Sequence, residues 1–263
     1  MANKFLDSKM IQQNFELTKI ISINSSITKL TFHAPEIARS ILPGQFINIK
    51  IDETTVPLLR RPFSVYYVQE NSVEIVFGVM GTGTKKLSLK KVGDMLDVLG
   101  PLGKPFNVSD NEELSILVGG GLGAASLPLL QNHLIQKGKN VITFLGARTK
   151  EYLLTSYLND VRTATDDGSS GYHGTVVELL KHFLIENKKK NCKIYACGPT
   201  PMLVALTNLT EEYNIRCEIS LETAMACGFG ICQGCAVELK NKEMGFALSC
   251  KDGPVFNSNE IIL

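Results

Sequence analysis

Hydrophobic and polar residues alternate in short runs along the first part of the chain. Isoleucine occupies every second position of 47–51, and Val, Ile, Phe and Val do the same in 73–79. A period of two is typical of β-strands that bury one face. Glycine and proline turn signals at 43–44, 81–84 and 100–103 separate these runs. Short strands with turns at this spacing predict a small antiparallel barrel.

The hydrophobic pattern changes near residue 112. A continuous apolar run at 114–118, typical of a buried parallel strand, leads directly into a glycine-rich loop. Leucines at helical spacing follow in 127–135, and further apolar strands are predicted at 141–145 and 194–196. Strands that alternate with helices in this way predict a doubly wound α/β domain with a parallel sheet.

Composition excludes several classes of protein. The 263 residues contain 27 basic and 26 acidic side chains, a net charge of +1, and 44% hydrophobic residues. This balance is unlike that of a disordered chain and gives no cationic surface for nucleic acid. The uncharged stretch 114–136 contains too many glycines and polar residues for a membrane span, and the first ten residues lack the apolar core of a signal peptide. We therefore expect a cytoplasmic protein.

Four of the seven cysteines follow the pattern Cys227-x4-Cys232-x2-Cys235-x14-Cys250. An odd number of cysteines argues against a disulfide framework. The spacing is typical of a plant-type 2Fe–2S cluster, in which three thiolates lie on one tight loop and the fourth is distant. The glycines between them allow the loop to curl around inorganic sulfide. A zinc site on the same four thiolates is the alternative, although structural zinc sites favour two CxxC pairs and only one is present.

A glycine-rich loop lies between a predicted strand and a predicted helix, where amide groups can bind a pyrophosphate. Its glycines are Gly119, Gly120, Gly121 and Gly123. The usual dinucleotide fingerprint also needs an acidic residue about 20 positions later. Arg148 lies there instead, so an ordinary Rossmann dehydrogenase does not fit. A loop that serves only tight packing is the alternative.

Two further motifs indicate ligand binding. In Arg60-Arg61-Pro62-Phe63-Ser64, arginine suits a phosphate, and the aromatic and hydroxyl groups suit a flat heterocyclic ring. An exposed turn is the alternative reading. The second motif follows the predicted strand 194–196 and consists of Cys197, Gly198 and Pro199. Small residues at this edge of a parallel sheet permit the close approach of a planar ligand, although a plain helix start would also fit.

Together these motifs resemble the ferredoxin–NADP reductase superfamily and, within it, the electron-transfer subunits of class B dihydroorotate dehydrogenases. In chain order they are RPFS, GTGT, GPLG, GGGLG, CGPTPML, SLETAMACGFGICQGC and SCKDGPVF. The resemblance extends from about residue 12 to the end of the chain. It implies an FAD-binding β-barrel domain at 1–110, an NAD-binding α/β domain at 111–216 and a 2Fe–2S module at 217–263.

The resemblance also implies roles for individual residues. Arg61 would lie by the FAD phosphates and Ser64 near the reactive ring nitrogen. The other FAD residues implied are Pro62, Phe63, Phe77, Gly78, Val79, Gly83 and Thr84. The glycine loop and Cys197 to Pro199 would bind NAD, a diffusible substrate, and the four cysteines would bind the cluster. Related flavin barrels often carry a basic residue in the strand before GTGT, which this chain lacks, so phosphate neutralisation would rest on Arg61, Arg60 or backbone amides.

The function implied is electron transfer in pyrimidine biosynthesis. A separate catalytic subunit with FMN would oxidise dihydroorotate, and electrons would pass through the cluster and FAD to NAD⁺ in a heterotetramer of two catalytic and two electron-transfer subunits. Similar subunits serve sulfide dehydrogenases and ferredoxin:NADP transhydrogenases, which are the alternatives. Arg148 leaves the choice between NAD and NADP open, although the resemblance favours NAD.

Overall fold

A computed structural model describes residues 10–108, 112–187, 191–241 and 245–263. The first part of the chain forms strands and two short helices. The strands are β1 (Ile11–Asn24), β2 (Ile27–His33), β3 (Phe46–Lys50), β4 (Arg61–Ser64), β5 (Tyr67–Gln69), β6 (Ser72–Gly78) and β7 (Met95–Leu102). The helices are α1 (Pro35–Ser40) and α2 (Thr82–Ser88).

These seven strands of the described region form an antiparallel sheet in the order β4-β3-β7-β1-β2-β6-β5. The sheet curls on itself, so that the Phe63 ring on β4 lies 5.4 Å from the Phe77 ring on β6, with Ile47 and Ile49 of β3 in the same core. The predicted antiparallel barrel is therefore confirmed. The GTGT run differs from a simple turn, because residues 82–84 form the first turn of α2.

The second part of the chain alternates strands and helices. The strands are β8 (Leu114–Gly120), β9 (Val141–Ala147), β10 (Val161–Thr165), β11 (Tyr172–His173), β12 (Cys192–Cys197), β13 (Arg216–Ser220), β14 (Ala236–Glu238), β15 (Phe246–Leu248) and β16 (Val255–Asn257). The helices are α3 (Leu127–Gln136), α4 (Val176–Glu186) and α5 (Thr200–Glu212). None of the described helices is long and apolar enough to cross a membrane.

In the described ranges, the second sheet has the order β11-β10-β9-β8-β12-β13-β16 and is parallel except for β16. The chain order reverses between β8 and β12, which confirms a doubly wound topology and creates a switch point at the carboxyl ends of these strands. Leucines of α3 pack on one face of the sheet, and those of α4 and α5 pack on the other.

The segment with the four cysteines does not fold apart from the second sheet. Strand β13 spans residues 216 and 217, where we placed a domain boundary, and β16 pairs with β13. Strands β14 and β15 form a separate two-stranded sheet within the described residues. The boundaries at 110 and 216 remain predictions, and the cysteine segment adds one antiparallel strand to the nucleotide sheet.

The barrel and the second sheet are held together by aromatic contacts. The Tyr67 and Tyr157 rings are stacked with their centroids 4.1 Å apart. The Tyr66 hydroxyl donates a hydrogen bond of 3.0 Å to the Ser156 carbonyl. Leu122 of the glycine loop packs against Gly78 at the end of β6. The turn after the carboxyl end of β8 therefore lies against the end of β6.

Candidate functional site

The predicted flavin residues of β4 and α2 lie next to one another. A Cβ atom on Gly83 would lie 3.1 Å from Nε of Arg61, so the guanidinium group crosses the first turn of α2 at its glycine. The Thr84 hydroxyl accepts hydrogen bonds from the amides of Met80 and Gly81, at 3.0 and 3.2 Å. An arginine beside a glycine-lined turn suits a phosphate, because its planar fork can approach the oxygens without a side chain between them.

The two neighbouring arginines have different partners. Arg60 forms an ion pair with Asp97, 2.7 Å from Nη2 to Oδ2, and both side chains are about four-fifths buried. Arg61 donates to the Leu59 carbonyl at 2.7 Å, and in the described part of the chain it forms no ion pair with a carboxylate. Arg61 is therefore the arginine whose charge is available to a phosphate.

Gly78, in the strand that lacks a basic residue before α2, packs against the nucleotide domain. A Cβ atom on Gly78 would lie 2.8 Å from Cδ1 of Leu122, in the glycine loop of the other sheet. A lysine or arginine at this position would require the Leu122 side chain to move. Strand β6 ends at Gly78, Phe77 points into the barrel core, and Val79 follows the strand. Gly78 is thus part of the contact between the barrel and the nucleotide domain, and it has no side chain that could neutralise a phosphate.

Three of the four glycines are required by close packing: Gly119 and Gly120 at the end of β8, and Gly123 in the turn that follows. Cβ atoms would lie 2.8 Å from Leu127 at Gly119, 2.5 Å from Met202 at Gly120, and 2.6 Å from the backbone of Cys197 and Gly198 at Gly123.

Gly121 is different, because it has a φ of +53° and a Cβ atom there would meet no described atom within 4 Å. The loop continues as a 3₁₀ turn to Ser126, and α3 begins only at Leu127. Packing therefore explains most of the loop glycines, while the backbone at Gly121 is open to a ligand.

Cys197, Gly198 and Pro199 lie against this loop at the switch point. The Cys197 thiol is buried, and burial together with the nearby Glu222 carboxylate raises its pKa to about 12. Hydroxyl groups of Ser126 and Ser220 contact the sulfur. Desolvation raises the pKa of Glu222 as well. The sequence analysis missed Glu222, since no spacing rule places it beside Cys197.

The four predicted ligand cysteines form two pairs. The Cys232 amide donates to the sulfur of Cys227, and the Cys250 amide donates to the sulfur of Cys235, each at 3.4 Å. Within each pair the thiols also contact each other. Gly228 adopts a φ of +80°, a left-handed conformation that allows the tight loop.

The environment of the sulfurs differs between the pairs. Burial alone would raise the pKa of Cys227, but the amides of Cys232, Phe229 and Ile231 point at its sulfur and lower the pKa to about 6. Burial and the Cys235 thiol raise the pKa of Cys250 to about 12. Amides directed at a sulfur stabilise a thiolate, which is the form that binds a metal.

The paired arrangement fits a two-iron cluster better than a single zinc ion. Zinc needs four ligands around one centre, whereas a 2Fe–2S cluster takes two thiolates on each iron. Cys235 and Cys250 pack against Phe46, Leu99 and Leu102, so the cysteine loop covers the outside of the barrel at β3 and β7.

The dinucleotide fingerprint requires an acidic residue that the sequence lacks at the expected position. An acidic residue, Asp167, lies instead just after the end of β10. Arg148 directly follows β9, and its carbonyl accepts a hydrogen bond of 3.2 Å from the Asp167 amide. The Asp167 carboxylate accepts hydrogen bonds from the hydroxyl and the amide of Ser169, which lower its pKa. The fingerprint considers only the end of the second strand and therefore misses this acid, which follows the third strand.

Comparisons with known proteins agree with this geometry. Residues 222–262 match a family model described as the iron–sulfur cluster binding domain of dihydroorotate dehydrogenase B. The chain is 37% identical to the electron transfer subunit of dihydroorotate dehydrogenase B (NAD⁺) from Bacillus cereus, over 97% of this chain and 100% of that one. It is 37% identical to the corresponding subunit from Desulforamulus reducens, over 89% and 91%.

Solved structures support the same assignment of the fold. An NADH-dependent reduced ferredoxin-NADP oxidoreductase has a TM-score of 0.84 and 32% identity, over 94% of this chain and 89% of that one. A ferredoxin NADP⁺ reductase from Neisseria gonorrhoeae has a TM-score of 0.65 at 15% identity, over 77% and 91%, which shows the fold alone. With this barrel, this nucleotide sheet and this cysteine loop, the chain belongs to the family of electron transfer subunits of dihydroorotate dehydrogenase B.

Proposed function

We propose that this chain carries electrons from the reduced FMN of a dihydroorotate dehydrogenase catalytic subunit, through a 2Fe–2S cluster and FAD, to NAD⁺. The observation that carries the proposal is the order of the three sites. The cysteine loop packs on the outside of β3 and β7, and Arg61 lies on β4 of the same barrel. The glycine loop of the nucleotide sheet meets the barrel at Gly78.

Each site has residues suited to its cofactor. We assign the FAD phosphates to Arg61, Gly83 and Thr84. The flavin ring we assign to Pro62, Phe63, Ser64, Phe77, Gly78 and Val79. When bound, FAD exchanges two electrons with a nicotinamide and single electrons with an iron–sulfur cluster. The Phe63 and Phe77 rings pack on each other in the barrel core, so they would support the flavin site from within the barrel. The Ser64 hydroxyl can donate a hydrogen bond to a ring nitrogen.

At the nucleotide sheet, the backbone near Gly121 would bind the pyrophosphate of NAD⁺. Glycines 119, 120 and 123 keep the loop close to Cys197, Gly198 and Pro199, so that a nicotinamide can reach the switch point. Burial keeps the Cys197 thiol neutral at physiological pH, so it presents a small uncharged surface rather than a nucleophile. Cys227, Cys232, Cys235 and Cys250 would bind the cluster.

Oxidation of dihydroorotate belongs, in this proposal, to the catalytic subunit. The names of the relatives describe an electron transfer subunit, which requires a partner that performs the chemistry on carbon. We propose a heterotetramer of two catalytic and two electron-transfer subunits. The pathway is the synthesis of pyrimidines.

A second candidate is the reductase subunit of a ferredoxin–NADP oxidoreductase. The likeness to the solved NADH-dependent reduced ferredoxin-NADP oxidoreductase, at 32% identity over nearly the whole chain, favours it. The two candidates share the FAD, cluster and nicotinamide sites and differ in the partner that exchanges electrons with the cluster.

An anaerobic absorption spectrum of the purified chain, before and after NADH, tests the cofactors. We expect flavin bands with a broad iron–sulfur shoulder, both bleached by NADH. A protein that stays colourless after reconstitution with FAD, iron and sulfide would refute the proposal. Co-expression with the FMN subunit tests the partner: the complex should form orotate and reduce NAD⁺ together. NADH-dependent reduction of ferredoxin without orotate formation would establish the second candidate instead.

A further inference from the structure

Asn48 lies at the point where the barrel meets the cysteine loop. It is in the middle of β3, opposite Pro62 of β4 on one side and Leu99 of β7 on the other. Its neighbours Ile47 and Ile49 point into the barrel core. Because side chains alternate along a strand, Asn48 points away from the core, towards the cysteine loop, and it is 0% exposed.

The Asn48 side chain binds the backbone of a predicted cluster ligand. Its Nδ2 donates a hydrogen bond of 3.1 Å to the Cys227 carbonyl. Gly228, the next residue of the loop, packs so closely on this amide group that a Cβ atom would collide with it. This contact joins residues that are 179 positions apart in the chain.

The other half of the Asn48 amide has no hydrogen-bond partner. Its Oδ1 is buried and accepts no hydrogen bond in the described structure. A buried polar atom without a partner destabilises the fold, a cost that an apolar side chain at this position would not carry. Stability therefore does not account for an asparagine at position 48. Its hydrogen bond to the Cys227 carbonyl does account for it.

We infer that Asn48 is a positioning residue that holds the Cys227 end of the cysteine loop against β3, the strand next to the flavin residues of β4. It thereby sets the place and the reduction potential of the cluster relative to FAD. The inference rests on the proposed function, since it concerns the cluster and flavin of that electron path. Asn48 contacts Cys227 through its side chain and lies beside Pro62 through strand pairing, so one residue connects both sites.

The expected effect on the potential has a definite sign. An amide N–H group directed at the loop places a partial positive charge near the cluster. This charge favours the reduced form of the cluster, which carries more negative charge than the oxidised form. Removing this group leaves the Cys227 carbonyl unpaired and should lower the potential. Asn48→Leu keeps the branching and the number of side-chain heavy atoms and removes the donor. Asn48→Asp keeps the shape but adds a negative charge, so it should lower the potential further.

Gln45→Met is the matched control. Gln45 lies in the same barrel, is similarly buried, and also donates from its side-chain amide to a backbone carbonyl, that of Gly103, at 2.8 Å. Gly103 lies in the turn at the end of β7 and packs on Gly253 and Pro254, which follow Cys250. The Gln45 amide also accepts a hydrogen bond of 2.9 Å from the Leu42 amide. The control thus disturbs the Cys250 end of the cysteine segment and leaves the Cys227 end as it is. The control therefore removes a buried hydrogen bond of the same type without touching Cys227.

The experiment measures iron, sulfide and FAD content, the electron paramagnetic resonance spectrum of the reduced cluster, and its midpoint potential in a redox titration. Both Asn48 variants should keep FAD, show an altered cluster spectrum and a lower potential, and lose iron to a chelator about fivefold faster. Gln45→Met should match the unmodified protein in spectrum and potential.

Asn48 variants with an unchanged spectrum and potential, or a control with the same shift, would overturn the inference. If Asn48→Leu assembles no cluster, the midpoint potential of the cluster in Asn48→Asp tests the inference instead. If neither assembles one while the control does, the loop requires Asn48 for its position, as inferred. An unmodified chain without a cluster would instead refute the proposed function, so the two failures can be told apart.

Discussion

The two adjacent arginines of β4 allow a sharp test of the flavin site. Arg60 is paired with Asp97 at 2.7 Å, whereas the Arg61 guanidinium crosses Gly83. We expect Arg61→Ala to lose FAD and to keep its fold. We expect Arg60→Ala to lose stability and to keep FAD, because its charge already has a partner within the barrel.

The magnitude follows from the bonds that each arginine makes. A charge-assisted hydrogen bond is worth about 1.5–3 kcal/mol. Loss of such a bond to a phosphate should raise the FAD dissociation constant roughly 10- to 100-fold in Arg61→Ala. The Arg60–Asp97 pair is about four-fifths buried, so breaking it should lower the free energy of unfolding by about 3 kcal/mol.

Titration of the apoprotein with FAD, followed by flavin fluorescence, measures the first effect, and urea unfolding measures the second. Arg61→Lys separates charge from shape, since lysine keeps the charge and loses the planar fork. Equal losses of FAD affinity in Arg60→Ala and Arg61→Ala would refute the reasoning, because the ion pair would then not distinguish the two residues. An Arg61→Ala variant with full FAD affinity would also refute it.

Three further predictions concern the other sites. Cys232→Ser should lose the iron–sulfur absorption and retain FAD, and unchanged iron and sulfide content would contradict the ligand assignment. Gly123→Ala should lower the free energy of unfolding by about 1–3 kcal/mol, because its Cβ would lie 2.6 Å from the Cys197 backbone. Gly81 has open space around it, so Gly81→Ala should leave the free energy of unfolding, measured in urea, almost unchanged. Asp167→Asn removes a negative charge beside Arg148. In steady-state assays, kcat/KM for NADPH relative to NADH should therefore rise about fivefold. An unchanged ratio would show that the Asp167 carboxylate does not affect the choice between NADH and NADPH.

Much of the site was predictable because its signals are local. The spacing of the four cysteines identifies a metal site without any knowledge of the fold, since a tight loop must supply three of the ligands. A period of two in 47–51 and 73–79 predicted barrel strands that the structure confirms as β3 and β6. The glycine-rich link between strand and helix was predicted in the same way, although its first two glycines end β8 and the other two lie in a 3₁₀ turn before α3.

Some features could not be predicted because their causes lie in distant segments. The choice between Arg60 and Arg61 depends on Asp97 of β7, which reaches Arg60 across β3. The close packing of Gly78 on Leu122 joins the barrel to the turn after β8. Tyr172 and His173 form β11, although this stretch has the composition of a loop, because β10 offers an edge for parallel pairing.

The order of residues alone establishes which chemistry the chain can support: four thiolates at cluster spacing, an arginine–aromatic–serine strand and a glycine loop. How these parts meet depends on the folded chain. Alternation in β3 predicts that Asn48 faces solvent, yet the cysteine loop covers it and Asn48 binds the Cys227 carbonyl. The physical reason is that a local pattern assigns a residue to one face of a strand, whereas the segment that covers this face comes from elsewhere in the chain.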